Sequence, residues 1–253
     1  MSVDHHSSRV NEVVQRLIGA LDRANRSRGD VTLVAVSKGI SVESILAVGA
    51  ELEARAVPVV IGESFTQEFK SKKPLLPVGW SAHLIGGLQR NKAKDALRLF
   101  DVIESVDSLE LATALDKEAA KRGERKDVLL QVNISSDEHK HGVSPAQTAA
   151  LAVALGAQCS HLCLRGLMTV TRYYEQPEHV RPDYRAMKEL ALQLEQSKEC
   201  ASLWRERRIE ISMGMSSDFE IAIEEGATIV RIGTALFGER EKAQVTVSQG
   251  GVR

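Results

Sequence analysis

Short apolar runs recur along the chain, and the segments between them change to a helical rhythm. The runs are "TLVAVS", "VPVVIGE", "SAHLIG", "DVIESV", "VLLQVNI", "LCLRGLM", "RIEIS" and "TIVRIG". They lack the strict polar alternation of strands with one face in water, and read as strands buried on both faces beneath a layer of helices. Between them, "SLELATALDKEAAKRG" carries Leu109, Leu111, Ala112 and Leu115 ahead of Gly123, the pattern of an amphipathic helix closed by a C-terminal glycine. Upstream, Val10, Val13, Val14, Leu17, Ile18 and Leu21 share one helical face and predict a docking helix over about residues 9–28, ending near "RSRGD". Strands that alternate with helices form parallel βαβ units, and eight such runs predict a (β/α)8 barrel. A doubly wound open sheet shares the alternation and is the alternative. No Pro/Gly-rich linker divides the chain. The expectation is one domain over 1–253, with the barrel at about 31–240 and a polar, poorly ordered tail at 241–253.

Composition narrows the functions this barrel can serve. The length of 253 residues is the usual size of one such barrel, and 33 Lys and Arg against 34 Asp and Glu leave a net charge of -1. Nothing in that balance attracts nucleic acid or an anionic membrane. No apolar stretch is long enough for a membrane span, and "MSVDHHSS" lacks the regions of a signal peptide, so a cytoplasmic, soluble protein is expected. Cys159, Cys163 and Cys200 form no C-x-x-C pair and suggest neither a disulfide framework nor a zinc site.

In a barrel, the C-terminal tips of the strands converge on one mouth, so chemistry is sought there. Lys38 follows the first apolar run. A lysine at a strand tip is either a solvated end-group or, when desolvated beside other cations, an amine with a lowered pKa that condenses with an aldehyde or ketone. In "TIVRIGTALFGER", Arg231 stands near the end of the eighth run, and Gly233 and Thr234 open a helix whose first N–H groups suit a phosphate. "SMGMSSDFE" adds Ser212, Met213, Gly214, Ser216 and Ser217 at another strand-to-helix turn. Ser217 with Glu220 three residues later also reads as a capping box, and Asp218 disfavours an anion there, so Ser216 and Thr234 are preferred as ligands. A Schiff-base lysine with a phosphate seat at strands seven and eight describes a pyridoxal phosphate protein. His83, near the third strand tip, either approaches that cofactor or is a satisfied core histidine. His139 and His141 in "DEHKHG" lack further ligands at metal spacing and read as a solvated loop. "TRYYEQPEHVRPDYR" is long for a connection, either a lid or a surface excursion, and Met168 before it reads as barrel packing. Asn91 either orients a loop or covers a helix surface.

The segments "AVSKG", "HLIGGLQRNKAK", "IESVDSLELA", "LLQVNISSDEHKHG", "LRGLMT" and "ISMGMSSDFEIAIEEGATIVRIGTALFG" together resemble the pyridoxal phosphate homeostasis protein family over about residues 30–240. The resemblance implies a fold type III barrel, like the N-terminal domain of bacterial alanine racemase, with pyridoxal 5'-phosphate held as an internal aldimine on Lys38. It further implies a phosphate held by Gly233 and Thr234 with help near Ser216, and Arg231 facing the pyridine nitrogen. Two departures stand out. The family's usual Gly-Glu-Asn-Tyr reads Gly62, Glu63, Ser64 and Phe65 here, and Gly87 replaces a bulkier residue. An Arg beside the ring nitrogen disfavours the pyridinium that electron-sink chemistry needs. Racemases of this fold tolerate such an Arg but take a second acid/base group from a separate domain, for which 253 residues leave no length. The resemblance therefore implies a cofactor-binding homeostasis protein without established turnover, a monomer whose further partners are pyridoxal phosphate-dependent apoenzymes. Two enzymatic alternatives stay open: an amino acid racemase of the same fold, and a Schiff-base aldolase acting on sugar phosphates.

Overall fold

The computed structural model describes residues 3–137, 139–204 and 208–239; the tail expected at 241–253 lies outside them. Eight parallel strands close into a barrel in sequence order: β1 (Thr32–Val36), β2 (Val60–Glu63), β3 (Ser81–Leu84), β4 (Val102–Val106), β5 (Lys126–Gln131), β6 (Leu162–Met168), β7 (Glu210–Ser212) and β8 (Ile229–Ile232). Each coincides with one of the apolar runs. Closure is made by β1 on β8, with Val34 opposite Arg231 and Ala35 opposite Ile232. The open-sheet alternative is thereby set aside.

Successive side chains of a strand point to opposite faces, which sorts each run into an inner and an outer set. Val34, Val60, Val102, Leu129, Met168 and Ile229 form a separate apolar cluster, one residue from each of six strands, and plug the barrel's centre. Their neighbours Leu33, Ala35, Ile61, Ile103, Val128, Val230 and Ile232 belong to the larger core between strands and helices. Above this plug, three inward positions are polar while remaining buried: Glu104 and Arg231, two residues after Val102 and Ile229, and His83 on β3. The barrel thus has an apolar floor and a hydrogen-bonding upper layer.

Helices α2 (Val42–Glu53), α3 (Thr66–Lys72), α4 (Ala93–Leu99), α5 (Leu109–Arg122), α6 (Pro145–Gln158), α7 (Arg181–Gln196), α8 (Phe219–Glu224) and α9 (Thr234–Phe237) follow the strands in turn. In α5, Ser108 caps the start through the Leu111 N–H and Gly123 ends it at φ 64°. The N-terminal helix α1 (Val3–Arg23) differs from its expected bounds of about 9–28, starting and stopping earlier. It stops because Asn25 adopts φ 52°, and the Arg26 and Asn25 N–H groups return to the carbonyls of Leu21 (2.9 Å) and Asp22 (3.1 Å). That pair of bonds is a Schellman termination with Asn in the usual glycine position. "RSRGD" instead contains a single 3-10 turn, Arg28–Asp30. The apolar stripe of α1 packs on α8, α2 and α9, covering the β8–β1 seam. No helix among the described residues is long and apolar enough to cross a membrane.

Candidate functional site

The first strand stops at Val36 and the chain turns at once. Gly39 adopts φ 72°, and the Ile40 N–H bonds the Ser37 carbonyl at 3.0 Å, so Lys38 is left half-buried on the barrel rim. It borders a cavity of about 620 Å³ at the C-terminal end of the strands. Val36, Ile85, Val170 and Met215 supply apolar walls, and Ser64, Ser216, Ser217 and Thr234 supply hydroxyls. Arg231 adds a second cation, and Gly233 and Ala235 complete the lining. No acidic side chain is among these lining residues. The cavity therefore combines a positive field with a flat apolar flank, the setting for an anionic ring-bearing ligand.

One corner is built of backbone donors. The Gly233 and Ala235 N–H groups point to the Ser216 hydroxyl oxygen, at 3.1 and 3.3 Å. These are early amides of the turn into α9, which has no intrahelical acceptors for them. Ser216 reaches them because Gly214 turns the chain at φ 92°, where a Cβ would come within 2.5 Å of the Ala222 Cβ. The Gly214 carbonyl accepts the Arg231 N–H at 3.0 Å, tying the two turns together.

The capping box expected at Ser217 and Glu220 does not form. Helix α8 starts at Phe219 after an Asp218 cap, and Glu220 pairs with Arg16 at 2.7 Å. Asp218 organises the turn instead. Its buried carboxylate accepts from the Met215 N–H (2.7 Å) and the Tyr184 hydroxyl (2.8 Å) on one oxygen and from the Ser217 hydroxyl (3.0 Å), beside the cavity, on the other. Burial, then the Asp218 charge and hydrogen bond, push the Tyr184 phenol far above its usual range.

Beneath the cavity, Arg231 is fixed by the polar layer. Its two terminal nitrogens donate to the Ser212 hydroxyl (2.5 Å) and the Thr169 carbonyl (2.6 Å). Ser212 donates in turn to Glu104 at 2.5 Å, and His83 Nδ1 lies 2.6 Å from the other oxygen of the same carboxylate. An ionised carboxylate only accepts, so Nδ1 carries the proton of that bond. Burial alone raises the Glu104 carboxyl, but the His83 hydrogen bond, the Arg231 charge and the Ser212 hydrogen bond outweigh it and hold the group below the usual carboxylate range. Glu104 is fully buried and 4.0 Å from Arg231.

The structure brings Lys38, Ser216, Arg231, Gly233 and Thr234 to one cavity. Ser212 and His83 lie one layer deeper and reach it only through Arg231. Met213 is fully buried in the core between strands and helices, and Gly214 shapes the turn behind the cavity. Glu104 escaped the sequence reading. Its only signal is phase: in "DVIESV" it stands two residues after inward Val102, where a charge requires a buried partner. Ser64, the departure from the family's Asn, lines the cavity with its short hydroxyl, while Phe65 is 61% exposed. Gly87 has open space around it, and Asn91 is an exposed residue of a 3-10 turn. His139 and His141 are exposed, and no group of three potential metal-ligating His, Cys, Asp or Glu side chains exists among the described residues. The long excursion after β6 is tied down: Arg172 donates to the Tyr174 hydroxyl (2.8 Å) and Tyr174 to Asp183 (2.7 Å). Its second half forms a 3-10 turn, Pro177–Val180, and the start of α7.

Residues 21–241 match the family model described as alanine racemase, N-terminal domain. The chain is 38% identical over 234 residues to a pyridoxal phosphate homeostasis protein of Aquifex aeolicus, covering 92% of this chain and 97% of that one. It is 33% identical to the human protein of the same name, over 92% of this chain and 84% of that one. The structure of PipY from Synechococcus elongatus with PLP bound superposes with a TM-score of 0.77 at 32% identity, covering 92% of this chain and 100% of PipY. Alanine racemase of Clostridium difficile, at 17% identity, shares the fold, with a TM-score of 0.62 over 57% of its length. On sequence and fold together, the chain belongs to the pyridoxal phosphate homeostasis protein family, within the wider group of alanine racemase N-terminal domains.

Proposed function

We propose that this protein binds pyridoxal 5'-phosphate and serves its intracellular homeostasis, with Lys38 as the amine that holds the aldehyde. One observation carries the reading: Lys38, Arg231 and the Gly233–Ala235 amides border a single cavity with no acidic residue in its lining. The donor set fits the cofactor. The two amides, with the Ser216 and Thr234 hydroxyls, suit its phosphate, whereas the Ser217 hydroxyl donates to Asp218; Val36, Ile85, Val170 and Met215 suit the faces of its ring. Arg231, held by Ser212 and Thr169, takes the ring-nitrogen side, and Ser64 offers one hydroxyl where relatives place an amide. When bound, the cofactor supplies an aldehyde that captures amines and a conjugated ring that accepts electrons.

Among the lining residues only Lys38 and Arg231 are titratable. Racemisation needs a proton donor on each face of the substrate. Arg231 cannot serve as the second, because a guanidinium does not deprotonate in proteins. This supports a carrier and buffer of the cofactor over a racemase, and the same proposal includes a cytoplasmic monomer that passes the cofactor to apoenzymes. The test is the visible absorption spectrum of the purified protein titrated with pyridoxal 5'-phosphate. A yellow band absent from Lys38→Ala is expected. A colourless protein that borohydride couples to a sugar phosphate supports the aldolase instead, and Lys38-dependent loss of optical rotation with L-amino acids supports the racemase.

A further inference from the structure

The turn that carries Lys38 is gripped on both sides by charged side chains lying outside the cavity. Ser37, just past the end of β1, and Glu63, the last residue of β2, turn toward α3 rather than into the barrel. The Ser37 hydroxyl donates to Glu63 Oε1 at 2.7 Å. Lys72, near the end of α3, reaches the same place with its ammonium: 2.8 Å from Glu63 Oε1, 2.8 Å from the Ser37 carbonyl and 2.6 Å from Glu68 Oε1. Glu68 Oε1 also accepts the Gly39 N–H at 2.6 Å. The peptide groups immediately before and after Lys38 are thus both bonded to one ion-paired cluster, one through its carbonyl and the other through its N–H.

A bland surface salt bridge does not have this form. Lys72 is 7% exposed and Glu63 is not exposed at all, so the ammonium has left water and its hydrogen bonds are made to these three oxygens. Such a cluster is costly to assemble unless its geometry is good, and what good geometry supplies is a fixed shape. The shape fixed here is the Gly39 turn at φ 72°, next to Lys38 at the edge of the cavity.

We infer that Glu68 and Lys72 are positioning residues for Lys38, clamping its backbone so that the amine meets the bound aldehyde. The inference rests on the reading of Lys38 as the aldehyde-binding amine. Condensation of the neutral amine with the aldehyde forms one carbon–nitrogen double bond and releases one water. The clamp bonds the peptide groups on either side of Lys38, through the Ser37 carbonyl and the Gly39 N–H. It narrows the range of positions from which the nitrogen starts, the kind of alignment that changes intramolecular reactions by orders of magnitude.

Glu68→Ala, Glu68→Gln and Lys72→Met are each compared with the unaltered protein by two titrations. One uses pyridoxal 5'-phosphate and reads the covalent linkage by absorbance and by the borohydride-reduced mass. The other uses pyridoxine 5'-phosphate, whose alcohol cannot condense and so reports non-covalent occupancy of the cavity alone. Glu68→Ala and Lys72→Met are expected to lower covalent capture by about tenfold or more, with pyridoxine 5'-phosphate affinity within about twofold. Glu68→Gln keeps an oxygen facing the Gly39 N–H and recovers most of the capture. Undiminished capture in Glu68→Ala overturns the clamp, as does a parallel fall of both ligands, which marks a purely structural role. Lys72→Met has the greater risk of misfolding, and the partly exposed Glu68 pair decides the matter without it. If the unaltered protein forms no reducible linkage at Lys38, the functional reading itself has failed, and that outcome is distinct from failure of the clamp.

Discussion

Replacing Glu104 by Gln removes one charge from the barrel's interior and almost no volume. Its Oε2 lies 4.0 Å from an Arg231 nitrogen, a separation at which unit charges attract by about 4 kcal/mol at an effective dielectric constant near 20. Both carboxylate oxygens accept short bonds, from Ser212 and from His83 Nδ1. An amide has one accepting end, so Gln leaves one of these donors facing N–H groups and leaves Arg231 without its counter-charge. Breaking a buried pair from one side costs about 3–5 kcal/mol, which for a domain of this size lowers Tm by roughly 6–20 °C. Differential scanning calorimetry measures it. The pH dependence checks the cause. The folded Glu104 carboxyl is held below its unfolded value, so its stabilisation is complete above the ordinary Glu pKa of about 4.3 and is lost as pH falls through the lower folded pKa. The gap between the two proteins should therefore narrow on the acid side. A Tm change under about 2 °C, or a gap independent of pH, refutes the buried ion pair.

Two other substitutions probe the supports of the cavity. Tyr184→Phe removes the donor to Asp218 and should cost about 1–3 kcal/mol in urea denaturation. Because the folded phenol is raised, its contribution is complete below the ordinary Tyr pKa of about 10 and declines as pH rises above it; Tyr184→Phe should lack that alkaline decline. Gly62→Ala drives a Cβ to within 2.6 Å of Val34 Cγ1 inside the barrel, and overpacking there should cost about 1–3 kcal/mol by thermal denaturation.

The barrel was legible because its strands are buried on both faces, which makes each a short apolar run whatever its neighbours. Helix ends were less so. The stop of α1 depends on Asn25 taking a left-handed conformation, and nothing local marks that Asn from one that continues the helix. Ser217 and Glu220 show the reverse failure: a local capping pattern is overridden because Asp218 finds better partners in Tyr184 and the Met215 N–H. Lys38, Ser216, Arg231, Gly233 and Thr234 could be read as a site because they lie at strand tips, where chain order alone predicts convergence. Glu104 and the Lys72 cluster could not be placed, and His83 could be put near a strand tip but not given its partner, since these roles are set by partners 21 residues away for His83–Glu104 and 35 for Lys72–Ser37.

The most direct measurement is the location of the covalent attachment. The protein is incubated with pyridoxal 5'-phosphate, reduced with borohydride, digested and mapped by mass spectrometry. Modification at substoichiometric cofactor should fall on the peptide carrying Lys38 and vanish in Lys38→Ala. Attachment chiefly to another lysine, or equal attachment in Lys38→Ala, contradicts the assignment of Lys38 and the cavity built around it.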